Sequence, residues 1–247
     1  MLEAVDAGLP PRPLGLFTQR GGGHSRGCYT GLNLSLRVGD DPHAVVANRA
    51  LLAARMSVDL DHMWIPEQVH GAGVAVVSGR YDEARAAGAD ALVTRDPTTA
   101  VAVLAADCLP VLLADPGAGV VAAAHAGRAG LVAGVLQATV AAMVDLGAGR
   151  EAVHASIGPS VCGGCYGLPE TLAAQVARAV PGAAGRTRAG TASADLAAGA
   201  RAVLAACGVR SVVSSTACTV EQPATLFSYR RDGVTGRQAA VVRAVGG

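Results

Sequence analysis

From Thr99 to Gly130 the chain reads TAVAVLAADCLPVLLADPGAGVVAAAHAGRAG: three apolar runs with Cys108 and His125 at their seams. Val, Leu and Ala fill the runs with little alternation, as in strands covered on both faces. Asp115-Pro116-Gly117 is a turn signal between the second and third runs. A hairpin with Asp115 to Ala118 as its loop sets Ala114 opposite Gly119 and Cys108 opposite His125. Opposed side chains share a face with Cβ atoms about 4.5–5.5 Å apart. At that range a thiolate and an imidazole can hold one metal, or one can deprotonate the other. His70, in Glu67-Gln68-Val69-His70-Gly71, precedes a further β-like run and is a third candidate. Two His and one Cys with room for a fourth ligand is a donor set used by catalytic zinc. The plain alternative is a small buried Cys beside a satisfied strand-end His.

Composition narrows the chemistry. All 20 basic residues are Arg, so Schiff-base lysines and the phosphate-binding loop with its lysine are excluded. Any anion must be met by Arg or by backbone N–H. A net charge of +1 argues against a nucleic-acid or membrane footprint. Ala129 to Val144 is too short to span a bilayer. The first residues lack a secretory pattern, and the six Cys are scattered rather than framed. A cytoplasmic protein without disulfides is the expectation.

Residues 1–13 read as an extended lead-in and 14–247 as one compact domain. Strands are expected at 14–18, 74–77, 153–157, 209–215 and 239–245. Asp41-Pro42 starts a helix running to about Arg55, with Asp as N-cap and Pro at the first position. A second helix covers Ala129 to Leu146 and its start offers an anion seat. A third opens at Leu168-Pro169-Glu170, and a fourth, capped by Ser193, runs from Ala194 to Ala206. Helices and strands mix without strict alternation, which predicts an α+β fold: mixed β-sheets packed with helices in layers. Cys162-Gly163-Gly164-Cys165 is a single CxxC with no second CxxC and no close His, and reads as a loop pair. Arg230-Arg231, beside Ser228 and Tyr229, reads as a solvated pair or as a phosphate holder.

Several short pieces, in order, carry a family resemblance. They are GGGHSRGCYTGLNLS at 21–35, GDDPHAVVANR at 39–49, EQVHG at 67–71, ADAL at 89–92 and AADCLPVLL at 105–113. HAG at 125–127, IGPSV at 157–161, ACT at 217–219 and FSYRRDGVTGR at 227–237 complete the set. The sequence resembles the laccase-domain family, also called multicopper polyphenol oxidase-like and treated as purine nucleoside phosphorylases. The resemblance spans about 15–245. Its metal-binding His-Cys-His falls on His70, Cys108 and His125, which it implies are also the catalytic residues. The family commonly reads HAGWRG, whereas here His125-Ala126-Gly127-Arg128-Ala129-Gly130 lacks the Trp and places Arg one position earlier.

The resemblance implies phosphorolysis of adenosine, inosine, guanosine and methylthioadenosine, and hydrolytic deamination of adenosine. Its partners are then purine nucleosides and phosphate, with no nucleic acid, membrane or obligate protein partner. Zn2+ is the implied cofactor and copper the alternative. Candidates for holding substrate or phosphate are Ser25, Asn33, Arg49, Gln68, Arg128 and Arg230. Two competing enzymes remain. A copper phenol oxidase would use Cys plus two His as an equatorial set, but six His are too few for an added trinuclear cluster. A hydrolase or amidase on a peptide-like substrate would use Cys108 as nucleophile and His125 as base. A non-enzymatic binding protein is the remaining class, and no exposed aromatic patch supports it.

Overall fold

The computed structural model describes residues 2–10 and 14–245. Thirteen strands form along them: β1 (Ala4–Asp6), β2 (Leu14–Thr18), β3 (Met63–Trp64), β4 (Val74–Val76), β5 (Ala91–Thr94), β6 (Ala100–Ala105), β7 (Leu109–Asp115), β8 (Val120–Ala126), β9 (His154–Ile157), β10 (Ala184–Arg186), β11 (Ala192–Ala194), β12 (Ser211–Ser214) and β13 (Gln238–Arg243). The helices are α1 (Pro42–Met56), α2 (Glu83–Ala86), α3 (Arg128–Ala133), α4 (Val135–Asp145), α5 (Glu170–Ala179), α6 (Leu196–Ala206) and α7 (Tyr229–Asp232). One sheet has the order β1-β2-β13-β6-β3, a second β12-β9-β7-β8-β5-β4, and β10-β11 is a separate hairpin. Parallel and antiparallel pairs occur in both large sheets. The fold is α+β, as expected.

The two large sheets lie face to face with helices outside them. Phe17, Trp64, Val101, Val103, Leu112, Ala114, Val121 and Val242 fill the layer between the sheets. Val111, Leu113, Ala122 and Ala124 point the other way, onto Leu136 and Val140 of α4 and Leu196 and Val203 of α6. Ala100, Ala102 and Val241 pack against Leu52 and Met56 of α1. Alternate residues of β6, β7 and β8 thus face different apolar layers. This explains why their sequences show no polar alternation.

Local chemistry sets the helix ends. The Asp41 carboxylate accepts from His43 N–H and Pro42 occupies the first turn of α1. The single helix expected over Ala129–Leu146 is two, because Gly134 adopts φ +91° and its N–H closes α3 onto Gly130 and Leu131. Asp195, not Ser193, caps α6, accepting from Ala198 N–H at 2.8 Å. Ser193 instead lies in β11, paired with Gly185 of β10.

Part of the expected lead-in is a strand: β1 pairs with β2, and Ala7 is buried in the layer between the sheets. Pro11-Arg12-Pro13 lie outside the described residues. The β7–β8 hairpin also differs from expectation. Asp115 stays in the strand opposite Val120, so the loop is 116–119, and His125 faces Pro110 rather than Cys108. The Asp115 carboxylate holds the turn by accepting from Gly117 and Ala118 N–H. The slip is two residues, so Cys108 remains on His125's side as its diagonal neighbour.

Candidate metal centre

Three crossings from one sheet to the other meet at one end of the sandwich. The β3–β4 crossing carries His70, the β6–β7 crossing carries Asp107 and Cys108, and the β12–β13 crossing carries Thr219, Ser228 and Arg230. His125 reaches the same end from the C-terminal end of strand β8. His70, Cys108 and His125 each offer a donor atom, all within 4.8 Å of one another. The two imidazole rings stand edge to face with centroids 4.8 Å apart. His125 is buried, Cys108 partly buried and His70 exposed, so the cluster is open on one side.

Asp90 organises the ligands. Its carboxylate takes Nδ1–H of His125 at 2.8 Å and the backbone N–H groups of Val69, His70 and Gly71 at 3.2, 3.0 and 2.6 Å. One buried carboxylate thereby fixes the tautomer of His125, leaving Nε2 for a metal, and pins the loop that presents His70. Gln68 assists: its amide exchanges two hydrogen bonds with the backbone of Leu104, both 2.8 Å. His70 itself sits at φ +60°, a left-handed backbone uncommon outside glycine and enriched at built sites.

Helix α3 approaches because two residues lack a side chain. A Cβ on Gly127 would stand 3.0 Å from Cys108 Sγ and 3.2 Å from His70 Cδ2. A Cβ on Gly130 would meet Gly71 O at 2.7 Å. The space beside the three donors exists only because residue 127 is glycine.

The charges are coupled. Burial opposes ionisation of the Cys108 thiol, but hydrogen bonds with His125 and His70 outweigh it and bring the thiol down to about 6. Burial likewise disfavours a charged His125, yet Asp90 and Cys108 raise it to about 9. Both shifts favour the thiolate–imidazolium form of the pair, and the thiolate is the form that ligates metals. Two imidazoles, one thiolate, a carboxylate behind one ring and an open side together fit a tetrahedral divalent ion.

Asp107 ties the other wall to the cluster. At φ +99°, its carboxylate accepts from Thr219 Oγ1, Ser228 Oγ and Arg230 N–H, each at 2.6 Å. Arg230 lies over the Tyr166 ring, 5.1 Å from its centroid. Burial and the Cys108 sulfur push the Tyr166 phenol up, while Arg128 and Arg230 oppose them, which places all four in one electrostatic neighbourhood. Arg237, its guanidinium pulled down by burial, faces Cys108 and Asp107, whose charges oppose that shift.

The remaining substrate candidates have internal partners. Ser25 Oγ accepts from Asn48 Nδ2. Asn33 bonds Ser35, Asp40 and the Arg237 N–H. Arg49 Nε donates to Leu34 O, and the side chain lines a cavity of about 280 Å³ with Tyr81, Met63 and Ile65. The helix start at Gly127–Gly130 opens a helix of only 6 residues. Asp90, Asp107, Tyr166 and Arg237 join the site although spacing alone did not single them out; all but Tyr166 lie within the short family-like pieces of the sequence. Cys162 and Cys165 are more than a loop pair, since Cys218 and Glu221 come to within 4.8 Å of them.

Fold and site together define a class: a two-sheet sandwich flanked by helices, with a two-histidine, one-cysteine cluster where the chain crosses between sheets. The chain belongs to the multi-copper polyphenol oxidoreductase laccase family, whose profile matches residues 15–244. It is 52% identical over 227 residues to a purine nucleoside phosphorylase of Streptomyces griseus, covering 92% of each chain. It is 38% identical over 230 residues to the adenosine deaminase RL5 from an unknown prokaryotic organism, covering 88% of each. The crystal structure of YlmD from Geobacillus stearothermophilus matches with a TM-score of 0.91 at 30% identity, over 99% of this chain and 97% of that one. No helix among the described residues is long and apolar enough to cross a membrane.

Proposed function

We propose that this chain is a zinc-dependent purine nucleoside phosphorylase, acting on adenosine, inosine, guanosine and methylthioadenosine, which also deaminates adenosine hydrolytically in the cytoplasm. The observation that carries the reading is the His70–Cys108–His125 cluster, set beside a wall of Arg128, Arg230 and Tyr166. The names of the relatives support the substrate class. His70, Cys108 and His125 would hold the zinc, which would supply Lewis acidity and make water more acidic near neutral pH.

The protein's own groups divide the remaining work. With no lysine in the chain, phosphate is met by the forks of Arg128 and Arg230, which suit a tetrahedral oxyanion. Asp107 holds the Arg230 backbone in place. Asp90 keeps a proton on His125 Nδ1 and so keeps that ring a ligand rather than a base. In phosphorolysis the phosphate oxygen attacks the ribose anomeric carbon as the glycosidic bond breaks, and the electron pair leaves with the purine. In deamination water adds to the purine ring carbon and ammonia departs.

The test is product analysis with adenosine and phosphate. Adenine with ribose 1-phosphate is expected from phosphorolysis, and inosine from hydrolysis. Both fall when a chelator removes metal, and Cys108→Ala abolishes inosine formation. The Cys108 thiolate beside His125 also favours a second reading, a cysteine hydrolase. That reading requires activity that survives chelation and is lost to a thiol alkylator. Full nucleoside turnover by metal-free protein would refute the zinc mechanism.

A further inference from the structure

We propose that Cys162, Cys165, Cys218 and Glu221 form a second metal site, which takes a thiophilic tetrahedral divalent cation such as zinc. The inference does not depend on the proposed activity. The four residues each offer a donor atom, all within 4.8 Å of one another, although the two halves are more than 50 positions apart in the chain.

The two halves have the same local form. In Cys162-Gly163-Gly164-Cys165 the N–H groups of Cys165 and Tyr166 both return to Cys162 O, at 2.9 and 3.0 Å. In Cys218-Thr219-Val220-Glu221 the N–H groups of Glu221 and Gln222 both return to Cys218 O, at 3.1 Å each. Each tight turn aims its first and fourth side chains at the same point, as the paired turns of structural zinc sites do. The Cys162 N–H points at Cys218 Sγ, 3.4 Å away, a contact suited to a thiolate acceptor. Gly163 and Gly164 let the first turn fit: a Cβ on Gly163 would lie 3.0 Å from Asp195 Cβ, and one on Gly164 3.4 Å from Arg188 Cγ.

Charge and donor type choose the ligand. Three sulfurs and one carboxylate select a borderline-soft ion over Mg2+ or Ca2+. With all three thiols ionised, the donors and a divalent ion leave two negative charges. Arg188, which ion-pairs with Glu221, offsets one of them. Binding releases the thiol protons to solvent. A disulfide would join only two of the three sulfurs, whereas all three converge with the Glu221 carboxylate, which accepts from Cys165 Sγ at 3.4 Å.

The position gives the site a consequence. Tyr166, over which Arg230 lies, directly follows Cys165. Thr219, which donates to Asp107, directly follows Cys218. An ion clamping the two turns would hold both groups against the Cys108 wall.

Cobalt loading tests this. Reduced protein is stripped of metal, titrated with Co2+ under argon, and read by metal analysis and thiolate-to-cobalt charge-transfer absorbance. Two Co2+ per chain are expected. Replacing both Cys162 and Cys165 with Ser should leave one Co2+ and about one quarter of the absorbance, since one thiolate of four remains. Cys108→Ala should leave about three quarters. Should the double variant not fold, Glu221→Gln reads the site with all thiols intact, and about tenfold weaker Co2+ retention against a chelator is expected for the three-thiolate band alone. A single Co2+ in wild-type protein, with charge-transfer absorbance abolished by Cys108→Ala, would overturn the proposal. So would a Cys162 disulfide that persists in the reduced protein.

Discussion

The carboxylate of Asp90 lies 2.8 Å from His125 Nδ1, and the same group accepts the backbone N–H of His70 at 3.0 Å. Two of the three candidate ligands therefore answer to one buried side chain that touches no donor atom facing the open side. Asp90→Asn keeps the shape and removes the charge. We expect metal affinity to fall by about 10–100-fold, as for other carboxylate partners of ligating histidines. Competition with a chromogenic chelator measures it, and unchanged affinity would show that the carboxylate only braces the loop.

Gly127→Ala introduces a methyl group 3.0 Å from Cys108 Sγ and 3.2 Å from His70 Cδ2. Crowding of this kind costs about 1–3 kcal/mol. The loss should appear mainly as lower metal content, with only a modest drop in denaturation midpoint. Full metal occupancy in the variant would mean that the ligands shift without consequence.

Arg230→Ala should raise KM for phosphate about tenfold or more, the scale of a lost charge-assisted hydrogen bond. Metal content should stay as in the wild type. Arg49 is bonded to Leu34 O, apart from this wall, so Arg49→Ala should leave KM for phosphate unchanged and reduce stability instead. Kinetics at varied phosphate separate the two, and equal effects would relocate the anion.

Asp96 reports on acid stability. Burial works against its charge, but hydrogen bonds from Thr98, Gly79 and Thr99 prevail and hold the carboxyl near 2, below its usual 3.8. A carboxyl lowered on folding stabilises the protein above its unfolded pKa, and that contribution is lost as pH falls through the folded value. Asp96→Asn should therefore be less stable than the wild type at pH 7. The difference should shrink between pH 4 and pH 2, as followed by urea denaturation. A gap that stays constant over that window would assign the effect to packing.

What could be read from the chain before folding was local or periodic. Asp41-Pro42 announces α1 because a cap needs only three residues to act. The apolar runs of β6, β7 and β8 announce strands buried on both faces, since each face is judged by composition alone. Even the partnership of Cys108 with His125 survived an error in register. A two-residue slip preserves the face of a strand, whereas a one-residue slip would have reversed it.

Tertiary structure decided which distant residues meet. Asp90 faces His125 only because β5 pairs antiparallel with β8, Ala91 against Ala124. Asp107 gathers Thr219, Ser228 and Arg230 from more than a hundred positions away, and Cys162 finds Cys218 across two separate turns. Arg49 and Arg230 look alike as sequence, yet one is bonded into the α1 side and the other lies on the Cys108 wall. Spacing along a chain encodes the face of a strand and the end of a helix. Convergence of side chains depends instead on which strands pair and where the chain crosses between sheets, and those are settled by burial of the whole core.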